Sequence, residues 1–118
     1  MFQPAALMMG VPLEDAPRVA ELLGKKLVLN EFISFDSLTT LNRDAATGAI
    51  TGMSERSYLL TTFALTGFAN FSSIGIVLGG IGGLAPSRRK DLARLSLRAL
   101  YGGFLATLIN ASIAGIVL

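Results

Sequence analysis

The sequence contains no cysteine, no histidine and no tryptophan, and only 15% of its residues are charged. Without cysteine there are no disulfide bonds or thiolate metal sites, and without histidine the commonest metal ligand and the usual general base near neutral pH are missing. A soluble domain carries roughly 25% charged residues. Here 52% of the residues are apolar and the mean hydropathy is +0.61, which favours a membrane protein.

No group of residues typical of an enzyme site is present. The sequence has no nucleophile paired with a base and no cluster of metal ligands. The glycine-rich segment Gly79–Gly83 lies deep in an apolar run and lacks the lysine and Ser/Thr of a phosphate-binding loop. The net charge of +2 is too small to indicate nucleic acid. We therefore expect a protein that is not an enzyme, with no cofactor, no metal site and no nucleic-acid partner.

The N-terminal segment is apolar and ends at a helix breaker. Residues 1–12 carry no charged side chain and close on Gly10 and Pro12. No basic residue precedes the apolar stretch, as a secretory signal would require. We interpret residues 1–12 as the end of a transmembrane helix that begins upstream.

An amphipathic helix is predicted next. Four apolar residues recur at helical spacing: Val19, Leu22, Leu23 and Leu27. Charged residues fill most of the other positions: Glu14, Asp15, Arg18, Glu21, Lys25 and Lys26. This pattern predicts a helix that begins at or just before Pro17, with its charged side chains on the polar face. Farther on, a polar stretch over residues 39–52 indicates a loop, with Gly48 and Gly52 as markers.

Glu31 is the single carboxylate of the otherwise apolar segment Leu27–Phe35. A carboxylate at membrane depth costs roughly 2.5–3.5 kcal/mol on insertion scales. Its position is explained if Asn30 caps a helix that starts at Glu31, because the helix dipole favours negative charge there. The same position in a re-entrant hairpin would aim the carboxylate at a solute, and the two explanations are compatible.

The run from Ser57 to Ser87 has no charged residue and exceeds the roughly 20 residues that cross a membrane. Ser54 is the predicted N-cap of this helix. The segment Gly67–Ser73 is polar and begins with glycine, which predicts a break. Its Asn70, Ser72 and Ser73 side chains either bond between helices or bind a polar solute at the break, and the sequence alone favours neither.

The C-terminal part predicts a second membrane span. Residues 99–118 are free of charge, and a basic cluster precedes them: Arg88, Arg89, Lys90, Arg94 and Arg98. By the positive-inside rule this cluster is cytoplasmic, where it would meet anionic headgroups, and the C-terminus is outside. Two rows of small residues predict close helix packing. They are Gly75, Gly79 and Gly83 in the first run, and Gly103, Thr107, Ala111 and Gly115 in the last span.

Four segments resemble the C-terminal region of the concentrative nucleoside transporters, in the same order and nearly from end to end. They are Val19–Lys26, Leu29–Phe32, Gly67–Gly75 and Leu84–Arg89. The resemblance implies a symporter that takes up nucleosides with sodium or protons. It also implies an integral membrane protein of a bacterial inner or plasma membrane, which works as a homotrimer in the lipid bilayer.

The fold that the resemblance implies is an all-α membrane protein. A re-entrant helical hairpin over residues 13–50 is followed by a discontinuous transmembrane helix over 54–86 and a last transmembrane helix over 88–118. All belong to one C-terminal transporter domain.

The resemblance also assigns the binding residues. It implies that Glu31, Asn70 and Ser73 contact the ribose of the nucleoside and that Phe68 lines the pocket. Asn30, next to Glu31, is included as a candidate.

The parts that contact the base and hold the coupling cation in this family lie upstream of the matching region. We therefore expect the chain to act with a missing N-terminal part, to bind the cation mainly outside these residues, and not to transport alone. The alternative is a small non-transporting membrane subunit that packs through its glycine-rich helix faces.

Overall fold

The computed structural model describes residues 1–48 and 51–118, and helices account for most of them. The helices are α1 (Gln3–Met8), α2 (Ala16–Val28), α3 (Glu31–Ala46), α4 (Glu55–Leu65), α5 (Phe71–Leu84), a 3-10 helix (Pro86–Arg88) and α6 (Arg89–Val117). No strand occurs in this described part, so the predicted all-helical class is confirmed. The end of the predicted hairpin, at residues 49 and 50, lies outside the described residues.

The helices α2 and α3 form a hairpin with a turn at Leu29 and Asn30. Pro17 lies in the first turn of α2, as the sequence predicts. Asn30 caps α3: its side chain accepts a hydrogen bond from the backbone N–H of Ile33 at 2.9 Å. The buried hydroxyl of Ser34 donates to a carbonyl oxygen of α2 and joins the two helices.

The loop predicted over residues 39–52 is wrong in its first half, because α3 continues to Ala46. Polar residues do not end this helix, because one of its faces packs against α2 and α4, and half of the residues from 39 to 46 are exposed on the other side. The helix ends just before Gly48, whose φ of +77° is the left-handed conformation typical of a helix terminus.

The predicted break in the long apolar run is present. Ser54 caps α4, as predicted, and accepts a hydrogen bond from the Ser57 backbone N–H. The break lies between Leu65 and Phe71, and Gly67 has a φ of +82° that favours glycine. It is shorter than predicted, because residues 71–73 already form the first turn of α5. The two helices, with 11 and 14 residues, are each shorter than a membrane crossing.

The last helix packs along both halves of the broken helix. It contacts α4 and α5, and its buried Leu100, Phe104 and Ala111 join the main hydrophobic core with side chains of α1, α2 and α4. With the preceding 3-10 helix it forms the span Pro86–Val117, the one helix in the described part that is long and apolar enough to cross a membrane.

The two predicted rows of small residues differ in the structure. A Cβ at Gly103 would touch Ala69, and a Cβ at Gly115 would meet Met9 and Leu60, so the row on α6 packs as predicted. The row on α5 does not pack within this chain. No atom of the described residues lies within 4 Å of a Cβ placed at Gly75, Gly79 or Gly83.

Candidate functional site

The tip of the hairpin meets the break in the long helix through Glu31 and Asn70. Glu31 is the first residue of α3 and Asn70 is the N-cap of α5. The Nδ2 of Asn70 donates a hydrogen bond to Oε2 of Glu31 at 2.5 Å. Both side chains are buried, with exposed fractions of 7% for Glu31 and 1% for Asn70. Two residues that are far apart in sequence therefore form one polar pair in an apolar setting.

Asn70 organises the first turn of α5. Its Oδ1 accepts hydrogen bonds from the backbone N–H of Ser73 at 2.9 Å, the Ser73 hydroxyl at 2.8 Å and the Ser72 hydroxyl at 2.6 Å. The Asn70 oxygen is therefore fully used inside the helix, which turns its NH2 group towards Glu31. The sequence left the role of these polar residues open. In the structure, the hydroxyls of Ser72 and Ser73 donate to Asn70, and Asn70 caps α5 and donates to Glu31.

The electrostatics of the pair follow from the helix ends. The N-terminus of a helix carries a partial positive charge, which stabilises an anion within the first turn. Glu31 lies at the N-terminus of α3 and bonds to the N-cap of α5. Two helix N-termini therefore favour the negative charge of one carboxylate.

The pair keeps hydrogen-bonding capacity for a ligand. Among the described residues, none donates a hydrogen bond to the second carboxylate oxygen of Glu31. This oxygen is not fully buried, since every fully buried side-chain nitrogen or oxygen in the described part has a partner. An ionised carboxylate only accepts hydrogen bonds, and the amide of Asn70 has a second N–H. A ligand that presents neighbouring hydroxyl groups can use both, since each hydroxyl can donate and accept.

Two phenylalanines stand beside the pair. Phe68 in the break and Phe32 on α3 are 68% and 70% exposed, and their ring centroids are 6.5 Å apart in an edge-to-face arrangement. Phe32 is absent from the residues predicted from the sequence. Its place directly after Glu31, at the start of the same helix, is the signal that could have indicated it.

A groove of about 320 Å³ opens between the break and α6. Phe68, Asn70 and Ser73 line it together with residues of α6, which include Ser96 and Thr107. Glu31 and Asn30 do not line this groove, and the oxygen of Asn30 is used in capping α3. Three of the five predicted residues, Phe68, Asn70 and Ser73, therefore line the groove. Glu31 is joined to them by its hydrogen bond to Asn70, and Asn30 caps α3.

Lys26 lies where the sequence pattern did not place it. We predicted it on the polar face of α2, but it is 0% exposed. Its ammonium donates to the carbonyl oxygens of Ala64 and Thr66, both at 2.8 Å, and to the hydroxyl of Thr107 at 3.1 Å. It also lies 5.7 Å from the ring centroid of Phe104.

The sequence contained a signal for this burial. Lys26 follows Val19 by seven residues and Leu23 by three, a spacing that places it on the buried face of the helix. Its charge concealed the pattern, because lysine is almost never fully buried unless its ammonium is paired.

No group of three or more acidic, histidine or cysteine side chains suited to a metal ion occurs in residues 1–48 and 51–118.

The sequence matches a known family over almost its whole length. The sequence model described as "Na+ dependent nucleoside transporter C-terminus" matches residues 1–115. The chain is 46% identical to the human "Sodium/nucleoside cotransporter 1" over 123 aligned positions, which cover 98% of the chain and 19% of that protein. It is also 46% identical to the "Uncharacterized transporter YutK" of Bacillus subtilis, covering 98% of the chain and 26% of that protein.

The fold is similar to solved transporter structures. The structure of CNTnw in an inward-facing substrate-bound state superimposes with a TM-score of 0.88 at 38% identity, over 97% of this chain and 26% of the CNTnw chain. The chain thus spans about a fifth to a quarter of the length of the proteins that it matches.

These matched proteins are transporters and not enzymes, as expected from the absence of an enzyme site. Transport takes place across a membrane, so the matches and the length of α6 together identify an integral membrane protein. The chain belongs to the Na+ dependent nucleoside transporter family, and it corresponds to the C-terminal part of that family's members.

Proposed function

We propose that this chain is the C-terminal part of a cation-coupled nucleoside symporter and supplies the ribose-binding half of the substrate site. The observation that carries the proposal is the hydrogen-bonded pair of Glu31 and Asn70 at two helix N-termini. Ribose presents neighbouring hydroxyl groups that can donate to the carboxylate and accept from the amide. Ser73 orients Asn70 by donating to its oxygen.

The arrangement of the helices supports this proposal. In many secondary transporters, discontinuous helices meet near the middle of the bilayer, and half-helix ends face the solute. We propose that α2 and α3 form a re-entrant hairpin, that α4 and α5 form a discontinuous transmembrane helix, and that α6 is the last span. The exposed rings of Phe68 and Phe32 would cover the sugar from one side.

The complete transporter has to provide the rest. We propose that the nucleobase and most ligands of the coupling cation are held by residues upstream of this region, and that the assembly is a homotrimer in the bilayer. The name of the human relative and the description of the matching family specify sodium, which supports sodium over protons as the coupling ion. The basic residues Arg88–Arg98 would be cytoplasmic and the C-terminus outside. Expressed alone, the chain is expected not to transport.

Uptake of labelled uridine by the complete transporter that contains this segment tests the proposal. Glu31→Gln removes the charge but keeps the shape. A hydrogen bond to a charged group contributes about 1.5–3 kcal/mol, so kcat/KM should fall roughly 10- to 100-fold. Asn70→Ala should lower it at least as much, since it also removes the cap of α5.

The matched control is Glu21→Gln, in the same hairpin. Glu21 is exposed and its carboxylate pairs only with Lys25 of the same helix among the described residues. Its uptake should stay within about twofold of the parent, because surface ion pairs contribute 0–1 kcal/mol. Uptake that is equally unaffected in the Glu31 and Asn70 variants would contradict the site assignment.

The alternative is a small membrane subunit without transport activity. One observation favours it: the row Gly75, Gly79 and Gly83 is open to an approaching helix. If the complete transporter takes up no nucleoside, while substitutions in this row abolish its assembly, the alternative would replace the symporter proposal.

A further inference from the structure

The ammonium of Lys26 has all its hydrogen-bonding capacity used at one buried place. An ammonium has three N–H donors, and here three oxygens accept from it: the carbonyls of Ala64 and Thr66 and the hydroxyl of Thr107. These acceptors come from the end of α4, the break and α6. One side chain of the hairpin therefore joins three separate elements.

Two of the three oxygens belong to the end of the first half-helix. Ala64 lies in the last turn of α4, and Thr66 is its C-cap. The break leaves such carbonyls without the N–H partners that a continuous helix would supply, and the C-terminus of a helix carries a partial negative charge. In transporters, half-helix C-terminal ends and unwound carbonyls are places that bind a coupling cation.

The hairpin matches both ends of the break in charge. Lys26 brings a positive charge to the negative end of α4, and Glu31 brings a negative charge to the positive end of α5. The two charged residues belong to the same hairpin and attract each other. Thr66 and Asn70 bound the break, so fixing the first of them restricts where the second can lie.

We propose that Lys26 is a tethered cation: its ammonium occupies an oxygen cradle at the helix break that would otherwise suit a free alkali cation, and so holds Asn70 in position against Glu31. Lys26 is a positioning residue and does not touch the substrate. The test by the KM for uridine rests on the proposed function, whereas the test by melting temperature in sodium does not.

The first test measures thermal unfolding of the purified complete transporter in sodium chloride and in N-methyl-D-glucamine chloride at equal ionic strength. Lys26→Ala empties the cradle, so its melting temperature should fall in the organic cation and recover in part with sodium. The parent's own response to sodium is the baseline. Lys26→Met fills the space with an uncharged side chain. Its melting temperature should also fall, but sodium should raise that temperature no more than it does in the parent.

The matched control is Lys25→Ala, at the neighbouring position. Lys25 is partly exposed and pairs with Glu21 at 2.8 Å. The Lys25→Ala variant should show the same change in melting temperature with sodium as the parent, and its KM for uridine should stay within about twofold. If Lys26→Ala responds to sodium no more than the parent and Lys25→Ala, the cradle does not accept a cation and the proposal is overturned.

The second test addresses positioning and remains available if Lys26→Ala does not fold. Thr107→Val keeps the shape of the side chain and removes one acceptor of Lys26. It should raise the KM for uridine about threefold or more and leave the maximal rate within about twofold, and Lys26→Met should raise KM about tenfold or more. An unchanged KM in both variants overturns the positioning role.

The two proposals fail in different ways. Absence of uridine uptake by the parent would overturn the proposed function and leave the sodium-dependent recovery of Lys26→Ala to be measured. Normal uptake that depends on Glu31, together with no such recovery, would overturn the tethered cation alone.

Discussion

Gly115 should be the glycine of α6 that least tolerates a side chain. A Cβ at this position would lie under 3.0 Å from the carbonyl oxygen of Met9, a backbone atom, and 3.4 Å from Leu60. The same place is held by Arg56 at the start of α4, which donates to the carbonyl oxygens of Gly115 and Gly10. If α6 moved away from Met9, the hydrogen bond between Arg56 and Gly115 would be lost.

The expected size follows from two opposing effects. Alanine is favoured over glycine inside a helix by about 1 kcal/mol. Overpacking a well-packed contact costs about 1–3 kcal/mol, and the rigid backbone oxygen places Gly115→Ala towards the upper end. Gly102→Ala, in the same helix, is the matched control, since no atom of the described residues lies within 4 Å of its Cβ. Because both variants gain the same helix propensity, their free energies of unfolding should differ by the overpacking cost alone, about 2–3 kcal/mol.

Thermal unfolding of the complete transporter in detergent measures this difference. At roughly 2 °C per kcal/mol, Gly115→Ala should melt at least about 4 °C below Gly102→Ala. The reasoning is refuted if Gly115→Ala melts at the same temperature as Gly102→Ala or above it, because the close approach of α6 to Met9 would then be absent.

Two further predictions concern helix caps. Asn30→Ala should lower the free energy of unfolding by about 1 kcal/mol, because it removes the cap of α3. Asn30→Asp keeps the cap and should keep the uridine KM within about twofold. A large rise in KM for Asn30→Asp would instead indicate direct contact with the substrate. Asp15→Ala removes the acceptor of the Ser54 backbone N–H and hydroxyl, at 3.1 and 2.8 Å, and should cost about 1–3 kcal/mol in chemical denaturation. The exposed neighbour Glu14→Ala is its control, and equal stability of the two would contradict the role of Asp15.

Local signals in the sequence were sufficient for the starts of α2, α3 and α4 and for the break in the long apolar run. Pro17, Asn30 and Ser54 act on their own first turns, and Gly67 permits a backbone conformation that other residues rarely adopt. The polar stretch that ends α3 misled the prediction, because a helix with one covered face tolerates polar residues on the other. The length of α3 was therefore decided by its packing against α2 and α4.

The sequence indicated which residues belong to the candidate site, but not which of them form hydrogen bonds with each other. Glu31 and Asn70 were singled out because polar groups in apolar runs are costly, and resemblance to a transporter family assigned them roles. Their hydrogen bond could not be predicted, since it depends on how the hairpin packs against the broken helix. The burial of Lys26 depends on the same packing, because its three acceptors lie on α4, on the break and on α6.

The sequence by itself determined that this protein is helical, belongs in a membrane and is interrupted near Gly67, because composition, periodicity and backbone preference act over short distances. The tertiary structure decided which charges meet the two ends of the interruption. Only the folded hairpin brings Lys26 to the end of α4 and Glu31 to the start of α5, since each contact joins residues about 40 positions apart in the chain.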